Sequence, residues 1–176
     1  MTDIFVQRDF EIPLTLPDIF ALARDGWECF DRHRVDWIES FLASDGRRMV
    51  CHFVAPDAES ARLAFRQSGS APVKLWPGRL HVASADSQAN ILVEREFDTP
   101  AVFDDLQSVE NAASTCLENH RVTFERTFFS TDRLHMLCLY RAPDAESVRV
   151  AQRQAGMPVK RVWQFRRVTP ADMAVE

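Results

Sequence analysis

Hydrophobic and polar residues alternate in four stretches of the first half of the chain, which predicts β-strands over Ile4–Phe10, Val35–Leu42, Arg47–Val54 and Val73–Val82. Between the first two strands, apolar residues recur at intervals of three and four from Pro17 to Arg32, which predicts an amphipathic helix. A second helix is predicted from Ala58 to about Ser68, with Asp57 as its N-cap residue. The order β-α-β-β-α-β is that of a ferredoxin-like unit.

Turn-forming residues separate these elements. Ser44-Asp45-Gly46 is typical of a hairpin turn between the second and third strands. Gly69 follows the second helix, where a left-handed residue commonly ends a helix. Pro77-Gly78 interrupts the last strand and predicts an edge strand or a bulge.

The chain contains this pattern twice. The hexapeptide Ala55–Ser60 recurs letter for letter as Ala142–Ser147, an offset of 142 − 55 = 87 residues. The same offset relates the pairs Cys29/Cys116, His33/His120, Met49/Met136, Cys51/Cys138 and Gly69/Gly156. We therefore predict two ferredoxin-like repeats, 1–82 and 90–176, joined by a small, polar linker over 83–89. The first helix of the second repeat is predicted from about Ala101 to Asn119.

Helices cover one face of a ferredoxin-like sheet and leave the other face bare. By simple alternation the bare faces carry the aromatic residues Trp37, Phe41, Phe124 and Phe128, which is too much apolar area to leave in water. The two sheets are therefore predicted to pack face to face as a barrel-like α+β sandwich.

Composition and charge exclude some classes of protein. A net charge of −5 argues against a protein that binds the phosphate backbone of nucleic acids. No apolar run reaches membrane-spanning length and the first residues lack a basic-then-apolar pattern, so a cytoplasmic protein is predicted. The four cysteines show no CxxC spacing, which predicts reduced thiols in the core.

The second repeat contains a set of short motifs, namely Leu92–Phe97, Val122–Phe128, Cys138–Pro143, Glu146 and Gly156–Val159. This set resembles a bacterial domain family of unknown function that includes small nickel-binding proteins forming dimeric α/β barrels. The first repeat matches more weakly, through Val50–Pro56. Because members of the family are typically single units that dimerise, the resemblance implies an intramolecular dimeric α/β barrel. The chain is accordingly predicted to be a monomer.

The resemblance also points to one position in each repeat. The family usually shows a Trp followed two positions later by a His, and the nickel binding of the family suggests that this His is a ligand. Here the position holds Glu39 in the first repeat and Arg126 in the second. Arginine has no acceptor atom and cannot ligate a cation. Neither repeat has a histidine at this position.

Glu39 and Arg126 are predicted to project into one cavity, as a site that orients a small polar ligand or as a structural ion pair. Glu94 and Gln7 occupy one equivalent position and either line the same cavity or lie at solvated strand edges. The predicted lining comprises Trp37, Glu39, Phe41, Phe124, Arg126, Phe128, Glu94 and Gln7.

His33 and His120 are the only histidines at equivalent positions, and they precede the second strand of each repeat. They are candidate ligands for a metal ion, although histidines at helix ends are commonly solvated or act as caps.

The favoured hypothesis is a protein that binds a small molecule or a metal ion, with nickel or another divalent ion as the candidate cofactor. One alternative is an enzyme that uses the cavity between the repeats, of the cofactor-free monooxygenase or isomerase type. The other is an interaction module whose own side chains fill the core. No nucleophile elbow, P-loop, GxGxxG or HExxH motif favours an enzyme.

Overall fold

The computed structural model describes residues 1–70, 74–82 and 88–175. The predicted strand start at Val73 and most of the predicted linker, 83–87, lie outside the described residues. The described residues form eight β-strands and five α-helices, so the predicted α+β class is confirmed. None of these helices combines the length and the apolar character needed to cross a membrane.

The elements follow one another in the order β1 (Thr2–Asp9), α1 (Leu16–Arg32), β2 (Asp36–Ala43), β3 (Arg48–Ala55), α2 (Ala58–Gln67), β4 (Lys74–Val82), β5 (Ile91–Glu96), α3 (Phe103–Ala112), α4 (Ser114–Asn119), β6 (Thr123–Ser130), β7 (His135–Arg141), α5 (Ala145–Ala155) and β8 (Arg161–Val168). A short 3-10 helix, Pro170–Val175, ends the described chain. The single long helix predicted over 101–119 is divided in two, because Ala113 leaves the helical conformation.

The chain forms two compact units. Unit 1 comprises Met1–Gly78 together with Arg166–Glu176, and unit 2 comprises Arg79–Phe165. The borders of these units fall inside β4 and β8. The repeat borders at 82 and 90 were inferred from the sequence duplication, and they stay a prediction.

In unit 1, β1 pairs antiparallel with both β3 and β4, and β3 pairs antiparallel with β2. The core lies between the sheet and the helices α1 and α2. Ile4 and Val6 reach it from β1, and Phe53 reaches it from β3. Val168, at the end of β8, is buried in the same core, so the last strand of the chain contributes to unit 1.

In unit 2, β5 pairs antiparallel with β7 and β8, and β7 pairs antiparallel with β6. Its core is built on the same plan, with Ile91 and Val93 from β5 and Val148 and Ala151 from α5. Residues on alternate positions of β5, such as Leu92, are buried on the other face of the sheet.

The local signals in the sequence are confirmed at the predicted helix caps. The Asp57 carboxylate accepts a hydrogen bond from the Ser60 backbone N–H at 2.8 Å, and Asp144 accepts one from Ser147 at 2.7 Å. Gly69 has the predicted left-handed conformation, with φ of +74°. These features depend on residues close in sequence, which explains why the sequence predicts them well.

Two details of burial differ from the prediction. Trp27 belongs to the predicted apolar stripe of the first helix but is 68% exposed. Cys29 and Cys116 are only half-buried, whereas Cys51 and Cys138 lie in the cores, and all four thiols are free. Burial raises the pKa of the Cys51 thiol to about 11.

The hairpin turn of unit 1 gives the first expected mutational effect. Gly46 has φ of +70°, and an added Cβ would lie 2.7 Å from the Leu14 carbonyl oxygen. Gly46→Ala is therefore expected to lower the free energy of unfolding by about 1–2 kcal/mol, because alanine is strained in the left-handed conformation. That is a fall of about 2–8 °C in the thermal midpoint.

Arg133 provides the matched control, because it occupies the equivalent position in unit 2 with φ of +63°. Its carbonyl accepts a hydrogen bond from Ala101, just as the Gly46 carbonyl accepts one from Leu14. Arg133→Ala should leave the midpoint nearly unchanged. Equal losses in the two variants would mean that neither the left-handed conformation of Gly46 nor the close approach of Leu14 explains the effect.

Candidate functional site

The face of the unit 1 sheet opposite α1 and α2 is buried and partly polar. We call it the helix-free face of unit 1, and it carries Phe5, Gln7, Glu39, Phe41, His52 and Trp76. Phe5 and Phe41 are fully buried there but are not part of the helix-side core. Glu39 is 1% exposed and His52 is 5% exposed, which is unusual for such residues unless they are paired.

A β-bulge decides which residues of β2 reach this face. Trp37 lies opposite Phe53, but the register then shifts, so that Glu39 lies opposite His52. Trp37 consequently packs against the helix-side core, where its indole N–H donates to the Ser40 hydroxyl at 2.9 Å. The prediction that simple alternation places Trp37 on the same side as Glu39 and Phe41 is wrong, because a bulge adds one residue to the strand.

Two residues of the helix-free face, Glu39 and His52, belong to a connected polar network. His52 Nε2 lies 2.7 Å from Asp3 Oδ1, and His52 Nδ1 lies 3.5 Å from Glu39 Oε1. The other Glu39 oxygen accepts a hydrogen bond from Arg167 Nε at 2.5 Å. We call Asp3, His52, Glu39 and Arg167 the unit 1 polar network. Its members come from β1, β3, β2 and β8, so four strands position it.

The network runs from the buried face to solvent. The Glu39 side chain is almost completely buried, whereas the Arg167 side chain is 51% exposed. Both ring nitrogens of His52 face carboxylate oxygens. Chemically, the network can offer a cationic donor at its exposed end and a carboxylate acceptor in its interior.

Aromatic rings surround the network. The Phe5 ring stacks on His52 with centroids 4.9 Å apart, and it lies 4.7 Å from the Trp76 ring. The Trp76 indole N–H donates to Gln7 Oε1 at 3.0 Å. This hydrogen bond is partly buried and lies beside apolar rings.

The same arrangement is found in unit 2. Trp163 donates to Glu94 Oε1 at 2.8 Å, and both residues are equivalent to the pair of Trp76 and Gln7. Arg161 also lies 3.4 Å from Glu94, so this buried carboxylate has a cation beside it. Glu94 is thus buried within the sheet of unit 2 and not at a solvated strand edge.

The units differ at the second strand. β6 carries the same bulge as β2, which places Phe124 against the helix-side core of unit 2 and Arg126 opposite Leu139. Phe124 therefore does not share a face with Arg126 and Phe128, for the reason given for Trp37. The Arg126 guanidinium carbon lies 5.7 Å from the centre of the Phe128 ring. Unit 2 thus has a leucine where unit 1 has His52.

The predicted charge pair of Glu39 and Arg126 stays a prediction. Within unit 1, Glu39 has Arg167 and His52 as partners. No pattern in the sequence pointed to Arg167. His52 was visible only as a histidine without an equivalent in the other repeat.

The equivalent histidines His33 and His120 have similar environments. His33 Nε2 lies 2.9 Å from Gln67 Oε1, and His120 Nε2 lies 3.1 Å from Gln154 Oε1. Each histidine is the C-cap residue of its helix, and each contact links that helix to the next one of its unit. Across the described residues, no group of three or more His, Cys, Asp and Glu side chains is placed to hold a metal ion.

Comparison with known proteins supports the resemblance seen in the sequence. The family described as nickel responsive protein SCO4226-like matches the chain over residues 92–165. Residues 92–165 resemble SCO4226-like proteins. We call this stretch the SCO4226-like segment, and it lies within unit 2. No curated protein matches the chain.

Solved structures show what the fold is similar to. A putative chlorite dismutase, TA0507, is 11% identical, with 99% of this chain and 97% of that chain covered and a TM-score of 0.53. SCO4226 from Streptomyces coelicolor A3(2) is 20% identical, with 42% of this chain and 91% of that chain covered and a TM-score of 0.38. A putative monooxygenase from Lactobacillus acidophilus NCFM is 11% identical, with 95% and 94% covered and a TM-score of 0.44. At 11% identity, the similarity to TA0507 concerns the fold and not the chemistry.

The SCO4226-like segment contains a second buried polar cluster, on the helix side of its sheet. Arg95 Nη2 donates to Tyr140 Oη at 3.1 Å and to Gln152 Oε1 at 2.7 Å. Arg95 Nη1 donates to the Pro158 carbonyl at 2.5 Å. The Tyr140 hydroxyl in turn donates to Glu110 Oε1 at 2.8 Å. We call Arg95, Tyr140, Glu110 and Gln152 the Arg95 cluster.

Burial controls the charge states in the Arg95 cluster. Burial opposes the charged form of Arg95, but Cys138, Tyr140 and Glu110 outweigh it and raise the pKa of the guanidinium. Burial also raises the pKa of the Glu110 carboxyl, although the Tyr140 hydrogen bond and the Arg95 charge act in the opposite direction. The pKa of Tyr140 lies well above its usual value, chiefly because of burial, so its hydroxyl remains a donor.

Glu110 gives an expected pH dependence of stability. A raised pKa in the folded state means that folding favours the neutral Glu110 carboxyl. The contribution of this carboxyl to the free energy of unfolding is therefore lost as the pH rises through the raised pKa. Glu110→Gln imitates the neutral form and still accepts the Tyr140 hydrogen bond. We expect it to raise the thermal midpoint relative to wild type at about pH 8, with the difference disappearing towards about pH 4.

Glu118→Gln is the matched control, because Glu118 is exposed on the neighbouring helix α4. It should follow the wild-type midpoint at every pH. A Glu110→Gln midpoint below wild type at pH 8 would show that the carboxylate is stabilising, contrary to this expectation.

Proposed function

We propose that this chain is a non-enzymatic small-ligand-binding protein built by tandem duplication of a ferredoxin-like unit. The ligand is held at the unit 1 polar network on the helix-free face. The observation that carries this proposal is the buried Glu39 carboxylate, which is bonded to Arg167 at one oxygen and faces His52 at the other.

A face that served only to fill a core would be expected to be apolar. Burying charged groups costs free energy even when they are paired, and apolar replacements of similar volume are often neutral or stabilising. Unit 1 nevertheless keeps four ionisable side chains in one connected set. A ligand-binding role accounts for this arrangement.

The chemistry of the network indicates the class of ligand. The Glu39 carboxylate already faces Arg167 and His52. The half-exposed Arg167 favours a ligand acceptor such as a carboxylate or a carbonyl oxygen. The stacked rings of Phe5 and His52 provide an apolar, planar wall beside these groups. We infer a small organic molecule with a carboxylate or carbonyl acceptor, of the size and polarity of an amino acid or a carboxamide.

Nickel fits this site poorly. The position where the nickel-binding relatives are expected to carry a histidine holds Glu39 in unit 1, and its carboxylate is already bonded to a cation. The equivalent residue of unit 2 is Arg126, which cannot be a ligand. In the described part of the chain, the ligating side chains do not gather in threes around a point suited to a metal.

The direct test is native mass spectrometry of protein purified without a tag. The wild type should carry an adduct with the mass of a small organic molecule, and Glu39→Leu should lose it. Asp36→Asn, an exposed change on the same strand, should keep it. If the wild type has only the mass of its own sequence, and amino acids and carboxamides do not raise its midpoint, the proposal is wrong.

Nickel provides an independent check. A ligand present at one hundred times its dissociation constant adds about 2.7 kcal/mol to the free energy of unfolding. For a chain of this size, that raises the thermal midpoint by about 5–10 °C. We expect no such rise when nickel is added to the wild type. A rise that Glu39→Ala abolishes would overturn the assignment of this site to an organic ligand. A rise lost in His33→Ala or His120→Ala would place a metal on the histidine pair.

A further inference from the structure

The helix α3 is attached to unit 2 through few buried groups. Glu110 is the only residue of α3 that is fully buried, whereas Phe103 and Leu106 are partly buried against the core. The equivalent helix of unit 1, α1, instead buries the apolar side chains of Ile19 and Phe20. The docking of α3 therefore depends on a carboxyl group to an extent that the docking of α1 does not.

Both ends of α3 are also weakly fixed. Its N-cap residue, Val102, makes no side-chain hydrogen bond to the first turn, whereas the Asp18 carboxylate accepts one from the Thr15 backbone N–H at the start of α1, at 2.7 Å. At the other end, Ala113 leaves the helical conformation, with φ of −100° and ψ of 17°. The equivalent residue of unit 1, Gly26, lies within the continuous helix α1. Elements with few buried apolar contacts are the ones that open locally in folded proteins.

The groups that face Glu110 come from β7, α5 and β5. The Tyr140 hydroxyl donates to Glu110 Oε1 at 2.8 Å, and Gln152 is a second side-chain partner. The Arg95 charge attracts the ionised carboxyl, and the Cys138 thiol lies near both Arg95 and Tyr140. Burial outweighs these partners and raises the pKa of the Glu110 carboxyl, so the docked helix favours the neutral form.

We propose that Glu110 makes the docking of α3 pH-sensitive: the helix stays on unit 2 while this carboxyl is neutral, and it moves away about Ala113 once the carboxyl ionises. The proton passes to solvent, and water then solvates the carboxylate. Release opens the helix side of unit 2 at Tyr140 while the strands beneath stay paired. This device does not depend on the function proposed for unit 1.

Unit 1 shows that the fold does not require a carboxyl at this position. The residue equivalent to Glu110 is Ala23, and the residue equivalent to Tyr140 is Phe53. The Phe53 ring packs edge to face on Phe65, with centroids 5.3 Å apart. An apolar contact thus stands in unit 1 where unit 2 has a titratable one. The helix α1 is therefore an internal control that should stay docked at each pH.

Native-state hydrogen exchange followed by NMR, with rates expressed as protection factors between about pH 4.5 and 8, tests this proposal. The amides of α3 should lose protection as the pH rises from the ordinary pKa of a glutamate through the raised pKa of Glu110, by up to about tenfold for each pH unit. Amides of α1 and β5 should keep theirs. Glu110→Gln imitates the neutral carboxyl, so its α3 protection should not vary with pH and should exceed that of the wild type at pH 8.

Glu118→Gln is the matched control, because it changes an exposed glutamate on α4 and should follow the wild type. Limited proteolysis with chymotrypsin at pH 8 gives a second readout, because cleavage after Phe103 should be several-fold slower in Glu110→Gln than in the other two proteins. The proposal is overturned if α3 loses protection with pH equally in the wild type and in Glu110→Gln. It is also overturned if α3 and β5 lose protection together, or if the three proteins are cleaved after Phe103 at the same rate.

Discussion

Arg95→Met is expected to lower the thermal midpoint of the protein by about 6–20 °C. The substitution keeps an apolar chain of similar length but removes every donor of the Arg95 guanidinium. The Pro158 carbonyl, the Tyr140 hydroxyl and the Gln152 amide would each lose a hydrogen bond in a buried environment. Removing one member of a buried charged network costs about 3–5 kcal/mol, and each kcal/mol is about 2–4 °C for a chain of this size. Thermal unfolding followed by circular dichroism measures the effect.

Arg8→Met is the matched control, because it removes the equivalent arginine of unit 1. Arg8 is partly exposed, and Phe10 and Phe65 lie beside its guanidinium. Its loss should cost about 0.5–2 kcal/mol, as expected for a cation–π contact. If Arg95→Met is as stable as the wild type, the cluster contributes nothing to folding, and its hydrogen bonds only compensate for burying the charge.

Glu39→Leu is expected to lower the midpoint by about 3–12 °C. It removes the acceptor for Arg167 and leaves His52 Nδ1 without its facing carboxylate. Hydrogen bonds to charged groups contribute about 1.5–3 kcal/mol, which is about 3–12 °C here. The loss should be smaller than for Arg95, because the Arg167 side chain is half exposed and water can solvate it.

Two further variants make this result interpretable. Glu39→Gln keeps an oxygen for Arg167 and should lose less stability than Glu39→Leu. Asp36→Asn changes an exposed carboxylate on the same strand and should leave the midpoint unchanged. A Glu39→Leu protein that is more stable than the wild type would show that the buried carboxylate costs more than its partners return. That result would favour a functional reason for keeping Glu39.

Much of the architecture could be predicted because it depends on short stretches of chain. The alternation of residues on β1, the spacing of apolar residues on α1 and the capping carboxylates Asp57 and Asp144 each act within a few residues. Periodicity alone failed where the chain departs from regular geometry. Trp27 lies on the predicted stripe but remains 68% exposed, and the break at Ala113 divides the predicted helix.

The site depended much more on tertiary structure. The sequence singled out Glu39 and Arg126 from their equivalent positions, and it identified Gln7 and Glu94 as a pair. It could not place Trp37 and Phe124, because one bulge reverses the face on which the preceding residues of a strand lie.

The sequence by itself determined most of the order of strands and helices, since alternation along a strand and apolar spacing along a helix act within a few residues. Only the tertiary structure decided which charged groups meet. Arg167 bonds to Glu39 across 128 residues of sequence. Arg95 meets Gln152 across 57. Neither contact leaves a periodic signal, because a side chain's partners across a sheet are set by strand pairing and register. The polar network of unit 1 and the Arg95 cluster of unit 2 arise from those pairings.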